Sequence, residues 1–189
     1  MIYVLMGKSA TGKDTIFGLL RNSRPDFKTI VTYTTRPIRS NEENGKEYYF
    51  VNDMELDKLK SQDKIVELRE YNTVHGLWRY FTVDDGQVDI KNGNYIIIGT
   101  LESFNGIRSY YGEGNVTPIY IEIDDGIRLE RALLREKQQK NPKYMEMCRR
   151  FLADDEDFSE DKIVAAGIKK RYINNNIDEC VEEILHDMV

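Results

Sequence analysis

Residues 2–22, "IYVLMGKSATGKDTIFGLLRN", decide the fold. Ile2 to Met6 form an apolar run without charge or turn former, as expected of a strand buried on both faces of a parallel sheet. Gly7, Gly12 and Lys13 then satisfy G-x-x-x-x-G-K, and Ile16, Leu19 and Leu20 fall on one face of a following helix. Strand, glycine loop and helix, in that order, are the setting in which such a loop cradles phosphate. Backbone N–H groups approach the oxygens, the helix N-terminus adds partial positive charge, and the lysine reaches the terminal phosphates. One position departs from the pattern. Asp14 stands where a Ser or Thr normally ligates magnesium, leaving Ser9 and Thr15 as the nearby hydroxyls.

Beyond this stretch the alternation continues. "YIIIG" (95–99) and "VTPIYIEI" (116–123) read as further buried strands, and "GIRLERALLREKQ" as an amphipathic helix. "KKRYINN" holds a last short strand, and "IDECVEEILHDM" a terminal helix with Ile177, Val181, Ile184 and Leu185 inward. This predicts an α/β/α arrangement around a mostly parallel sheet. Residues 32–83 interrupt it with β-branched and aromatic runs ("KEYYFV", "KIVELREY", "WRYFTV") and one short helix, "MELDKLKS". They are expected to form a small β-rich lobe in a single domain whose core is 1–31, 84–135 and 151–189, with a polar, mobile lid at 136–150. Two lobes suit an enzyme that closes over its substrates.

A chain of 189 residues has the length of one domain and needs no disulfide to build a core. Its two cysteines, Cys148 and Cys180, lack metal-ligand spacing and read as reduced thiols. The apolar start is too short for a signal peptide and no stretch reaches membrane-spanning length, so a cytoplasmic protein is expected. With 27 Lys and Arg against 33 Asp and Glu the net charge is −6, which disfavours sequence-independent nucleic-acid binding. Arginines at 36, 39, 131, 135, 149 and 150 leave room for a basic cleft that holds small anions.

The segment "TYTTRPIRSNEENGKEYYF", Thr32 to Phe50, carries a second constellation. Arg36 and Arg39 can converge on one monoester phosphate, and Tyr48 adds a hydroxyl donor. Standing alone these arginines would read as a solvated basic loop. The sequence T-T-R-x-x-R, Glu42, N-G-K and Y-x-F, taken with the glycine loop, resembles the nucleoside-monophosphate grip of guanylate kinases. The likeness extends more thinly to "YINNNID". It implies a kinase that moves the γ-phosphoryl group of ATP to GMP or dGMP with Mg2+. Arg36, Arg39, Tyr48 and Tyr80 would then hold the GMP phosphate. Glu67 would read guanine N1–H and the N2 amino group, and Thr32 and Thr82 would lie near O6. Gly7, Ser9, Gly12, Lys13, Asp14, Thr15 and Asn174 would bind ATP. Arg131, Arg135 and Arg150 would neutralise charge on the transferring group, with Arg149 competing for the last role. The alternative for these arginines is pairing with neighbouring acids such as Glu130, Glu136 and Asp154.

Two departures accompany the resemblance. Where guanylate kinases carry acids after the strand, this chain has "GTLESFNG", with Glu102 the sole acid; the magnesium ligand is left open among Thr15, Asp14 and Glu102. "REYNTVHGLWR" is longer than the family pattern, and His75 within it reads as a surface residue. Asp after the loop lysine also resembles the ribose 1,5-bisphosphate phosphokinases, which makes a sugar-phosphate kinase one alternative. A non-catalytic guanylate kinase-like binding module is another. A monomer or homodimer acting on ATP and GMP, without nucleic-acid or membrane partners, is the expected state.

Overall fold

The computed structural model describes residues 1–73 and 76–188; His75 lies outside them. β1 (Ile2–Met6) is buried along its whole length. Gly12 follows in the left-handed region, φ 91°, and caps α1 (Lys13–Ser23). A side chain there would be strained, and its Cβ would stand 2.5 Å from Asn174 Nδ2. α1 buries Ile16 and Leu20 and stops at Arg24, whose backbone is turned out of the helix ahead of Pro25.

The central sheet adds β2 (Lys28–Thr29), β7 (Tyr95–Ile98), β8 (Val116–Glu122) and β9 (Arg171–Ile173), in the order β2-β7-β1-β8-β9. β2 lies parallel to β7 and β8 parallel to β9. Parallel neighbours need long crossovers, here supplied by helices. α3 (Leu101–Tyr111), α4 (Asp125–Lys137), α5 (Tyr144–Asp157), α6 (Glu160–Ala165) and α7 (Ile177–Asp187) all follow β7. The expected α/β class with a mostly parallel sheet is what the chain forms. Contacts divide it into two compact units: residues 1–3, 26–97 and 102–117, and residues 4–25, 98–101 and 118–189.

In the first unit a second sheet runs β4 (Tyr49–Phe50), β3 (Tyr33–Thr34), β6 (Gly76–Val83), β5 (Ile65–Thr73). α2 (Asp53–Ser61) begins at a capping box made by Asn52 and Glu55, and its Leu56 joins Phe81 and Val83 in a small core. The "KEYYFV" run yields only two strand residues. β4 is the sheet's edge: Tyr49 and Val51 N–H donate to the Thr32 and Thr34 carbonyls, and Asn44 Oδ1 takes the Phe50 N–H on the open side at 2.8 Å.

Strands β5 and β6 form an antiparallel pair whose alternation separates two faces. Leu68 opposite Phe81 and Ile65 opposite Val83 turn toward the core. Glu67 opposite Thr82, Arg69 opposite Tyr80 and Tyr71 opposite Trp78 share the other face. A bulge between Ile65 and Glu67 makes both sets possible. Strict alternation from Ile65 would put Glu67 on the core side; the extra residue, Val66, turns it to the opposite face beside Thr82.

Candidate functional site

The glycine loop and α4 surround a cavity of about 530 Å³ lined by Gly12, Lys13, Asp14, Thr15, Arg131, Arg135 and Asn174. Gly7 backs directly onto the Ile121 carbonyl. Ala10 adopts φ 65° and Gly12 φ 91°, an alternation of left-handed residues of the kind that forms anion-binding loops. Asn174 is buried; its Nδ2 donates to the Thr11 carbonyl at 2.7 Å, and its Oδ1 has no partner among the described residues. Burial holds the Lys13 ammonium below its ordinary range; Arg150 and Arg135 push the same way, against Asp14 and Asp154.

Arg131, Arg135 and Arg150 enter no ion pair with Glu130, Glu136, Asp154 or any other acid among the described residues. Arg149, by contrast, is held by Glu146 through Nε at 2.8 Å and Nη2 at 2.7 Å. The stretch read as a lid contains the first half of α5, which carries both arginines.

Sequence reasoning missed what anchors this helix. Ser9 N–H donates to Asp154 Oδ2 at 2.7 Å, and Lys8 Nζ meets Asp155 Oδ1 at 2.6 Å. Arg128, with no exposed side-chain surface, joins Asp125, Asp154, Asp155 and the Ser9 carbonyl, and its guanidinium lies 4.4 Å from the Phe151 ring centroid. Arg128 lies three residues before Arg131, the first of the arginines expected to act on the transferring group. Its helical offset from Arg131 was the available signal.

Asp14 and Thr15 are exposed in the first turn of α1, and Glu102 is exposed in the first turn of α3, in the other unit. No three His, Cys, Asp or Glu side chains among the described residues gather as a metal cage. A magnesium ion held mainly by phosphates and water needs only one or two protein oxygens, and Asp14 with Thr15 fits that demand.

In the β-rich unit, Thr32, Arg36, Glu67 and Thr82 are buried. Arg36 makes a bidentate pair with Glu42, at 2.9 and 2.7 Å, and lies 5.5 and 5.4 Å from the ring centroids of Tyr48 and Phe50. The Arg36 pairing holds the Glu42 carboxyl below its usual range, and burial pushes the Tyr48 phenol up. Arg36 Nε is buried with no acceptor among the described residues. Tyr80 meets Tyr48 edge-on, with ring centroids 5.7 Å apart. Arg39 is not brought in: its N–H donates to Glu42 Oε2, while its side chain is exposed and outside any ion pair among the described residues.

Glu67 Oε1 accepts from Thr82 Oγ1 at 2.7 Å and from Arg69 Nη2 at 3.2 Å; Oε2 accepts from Arg69 Nε at 2.9 Å. Arg69 was missed, although it stands two residues after Glu67 and strand period two puts both on one face. Gly106 permits this packing, since a Cβ there would lie 2.5 Å from Glu67 Cβ.

A mostly parallel α/β sheet behind a glycine loop, with a β-rich unit bearing paired arginines and a buried carboxylate, defines the class. Its fold is that of guanylate kinases: the crystal structure of guanylate kinase from Anaplasma phagocytophilum superposes with a TM-score of 0.64 over 97% of this chain and 81% of that one, at 22% identity. In sequence, the guanylate kinase family model matches residues 1–84. Guanylate kinase from Thermobifida fusca is 44% identical over 68 residues, 36% of this chain and 35% of that protein. Guanylate kinase from Lawsonia intracellularis is 26% identical over 96% of this chain and 80% of its own length. The chain's matched segments span only 35% and 41% of the Thermobifida fusca and Tropheryma whipplei (strain Twist) enzymes.

Proposed function

We propose that the chain is a nucleoside monophosphate kinase that transfers the γ-phosphoryl group of ATP to GMP or dGMP, giving ADP and GDP or dGDP. The observation that carries this reading is the set of cations around the glycine loop. Lys13, Arg131, Arg135 and Arg150 stand without ion pairs among the described residues. Gathering like charges without counter-ions is unfavourable until a polyanion arrives, so the loop is poised for triphosphate.

The donor's phosphates would lie on the loop N–H groups and Lys13. For Ser9 N–H to serve them, the Asp154 carboxylate that accepts from it must give way. The acceptor phosphate would take the orphaned Arg36 Nε–H together with Tyr48 and Tyr80, and Arg39 would swing in from solvent. An acceptor oxygen attacks Pγ as the bond from Pγ to the β,γ-bridging oxygen breaks. That oxygen is already anionic, so no general base is needed. Arg131, Arg135 and Arg150 would balance the charge spread over the transferring group, a role worth orders of magnitude in rate. Magnesium, held by Asp14 or Thr15, would neutralise the β- and γ-phosphates. Positions 136–150 would act as the lid segment, with Arg150 rather than the Glu146-bound Arg149 as its working cation.

No described helix is long and apolar enough to cross a membrane, and Cys148 and Cys180 are free thiols, which supports a reducing, cytoplasmic setting. The sugar-phosphate and binding-module alternatives are not favoured, because the Glu67 face and the cationic loop are both built. The test is ADP release from ATP and magnesium with GMP, dGMP, AMP, UMP, CMP or ribose 1,5-bisphosphate as acceptor. Turnover is expected with the guanine nucleotides; turnover confined to the sugar bisphosphate would overturn the reading.

A further inference from the structure

The carboxylate expected to read guanine is largely occupied. An ionised carboxylate offers about four lone-pair positions. On Glu67, Oε1 carries bonds from Thr82 and Arg69, and Oε2 one from Arg69, which leaves a single open position, on Oε2. Guanine's N1–H and N2–H together need two. The pair is also well buried, with side-chain exposures of 5% for Glu67 and 10% for Arg69, so water does little to loosen it. Gly106 closes over the Glu67 Cβ and restricts any retreat of the carboxylate.

Arg69 supplies what the carboxylate lacks. Nε and Nη2 bind Glu67 and a further bond goes to Tyr71, which leaves two of the guanidinium's five N–H donors for a ligand. One open acceptor on Glu67 beside a guanidinium donor matches N1–H beside O6, the edge common to guanine and hypoxanthine. We propose that the acceptor site reads the 6-oxopurine edge and not the 2-amino group, and that Arg69 is the specificity-determining residue that sets this breadth. The proposal rests on the nucleoside monophosphate kinase reading above. Inosine monophosphate is then an acceptor comparable to GMP. AMP is refused, because its N1 lone pair would face the open carboxylate position and its 6-amino group the guanidinium.

The test measures kcat/KM for GMP, IMP and AMP on the intact protein with ATP and magnesium, and the dissociation constants of GMP and IMP by calorimetry. The expected GMP preference over IMP is within about tenfold, the scale of one modest hydrogen bond. A site that truly bonds the 2-amino group would reject IMP by orders of magnitude more. Rapid use of GMP with IMP worse by a thousandfold would overturn the inference while leaving the kinase reading intact. Silence with both, and no binding of either, would instead sink the kinase reading. Arg69→Leu opens one further acceptor position on each Glu67 oxygen, with Thr82 still on Oε1, and is expected to raise the GMP preference at least tenfold. Arg69→Lys, which keeps the charge with a single contact, is expected to fall between, and an unchanged ratio in both variants would remove Arg69 from specificity.

Discussion

Arg131, Arg135 and Arg150 of the glycine-loop unit form no ion pair among the described residues, whereas Arg36, Arg69 and Arg79 of the β-rich unit are each clasped by carboxylates. Arg135 and Arg150 of the first set are repelled by Lys13, so the set gains little from folding and waits for an anion. The second set is fixed in advance by Glu42, Glu67, Glu70 and Asp53, so its geometry is part of the fold. Removing a cation from the first set should therefore damage chemistry and spare stability. Breaking a pair in the second should damage both.

Lys13→Ala is the sharpest way to break that contrast. It is expected to lower turnover by about a thousandfold or more with Tm unchanged or slightly raised, since a half-buried charge without a counter-ion is removed. A large fall in Tm would mean that Lys13 is structural. Glu42→Gln tests the opposite case: Arg36, 3% exposed, loses its counter-ion, and a loss of about 3 kcal/mol in denaturant unfolding is expected. The pH dependence gives an independent check. Glu42 titrates below its ordinary value in the folded protein, so the unfolded chain binds more protons over that interval. Its contribution is complete above about pH 4.3 and is lost as pH falls through the folded value. The variant should show a flatter stability profile on the acid side, and an identical profile would dismiss the pair.

Arg150→Ala and Arg149→Ala separate two neighbours of different company. The former is expected to lower kcat about a hundredfold, the latter hardly at all; the reverse order would move the role to Arg149. Asp154→Asn removes a carboxylate charge from both the Ser9 amide and Arg128. Unfolding free energy should fall by about 2 kcal/mol, less than for a lone pair because Asp125 and Asp155 still hold Arg128. ATP should bind several-fold more tightly in calorimetry, and weaker binding would show that Asp154 aids the donor rather than competing with it. The smallest effect is expected from Ala10→Gly, which relieves a left-handed alanine worth about 1 kcal/mol and should raise Tm by a few degrees.

The donor half was legible because its logic is local. Strand, loop and helix are contiguous between Ile2 and Leu20, and Arg131 and Arg135 are one helical turn apart. The acceptor half was legible as a set of residue types around Arg36, but not in its pairings. Arg36 turning to Glu42, and Arg69 to Glu67, follow from burial, which spacing does not report. Arg128 was invisible for the same reason, because its partners Asp154 and Asp155 lie on another helix. The bulge at Val66 lies beyond what alternation reports, since strict counting from Ile65 would put Glu67 on the core side.

That bulge also says something about how the chain can change. Val66 is the residue whose extra length β5 absorbs, so deleting it leaves Ile65 opposite Val83 and Glu67 opposite Thr82 in unbroken alternation. A codon lost anywhere from Leu68 to Tyr71 would instead turn part of the acceptor face inward. The hairpin thus has one position where its length is free to drift through descent, and a neighbouring stretch where it is not.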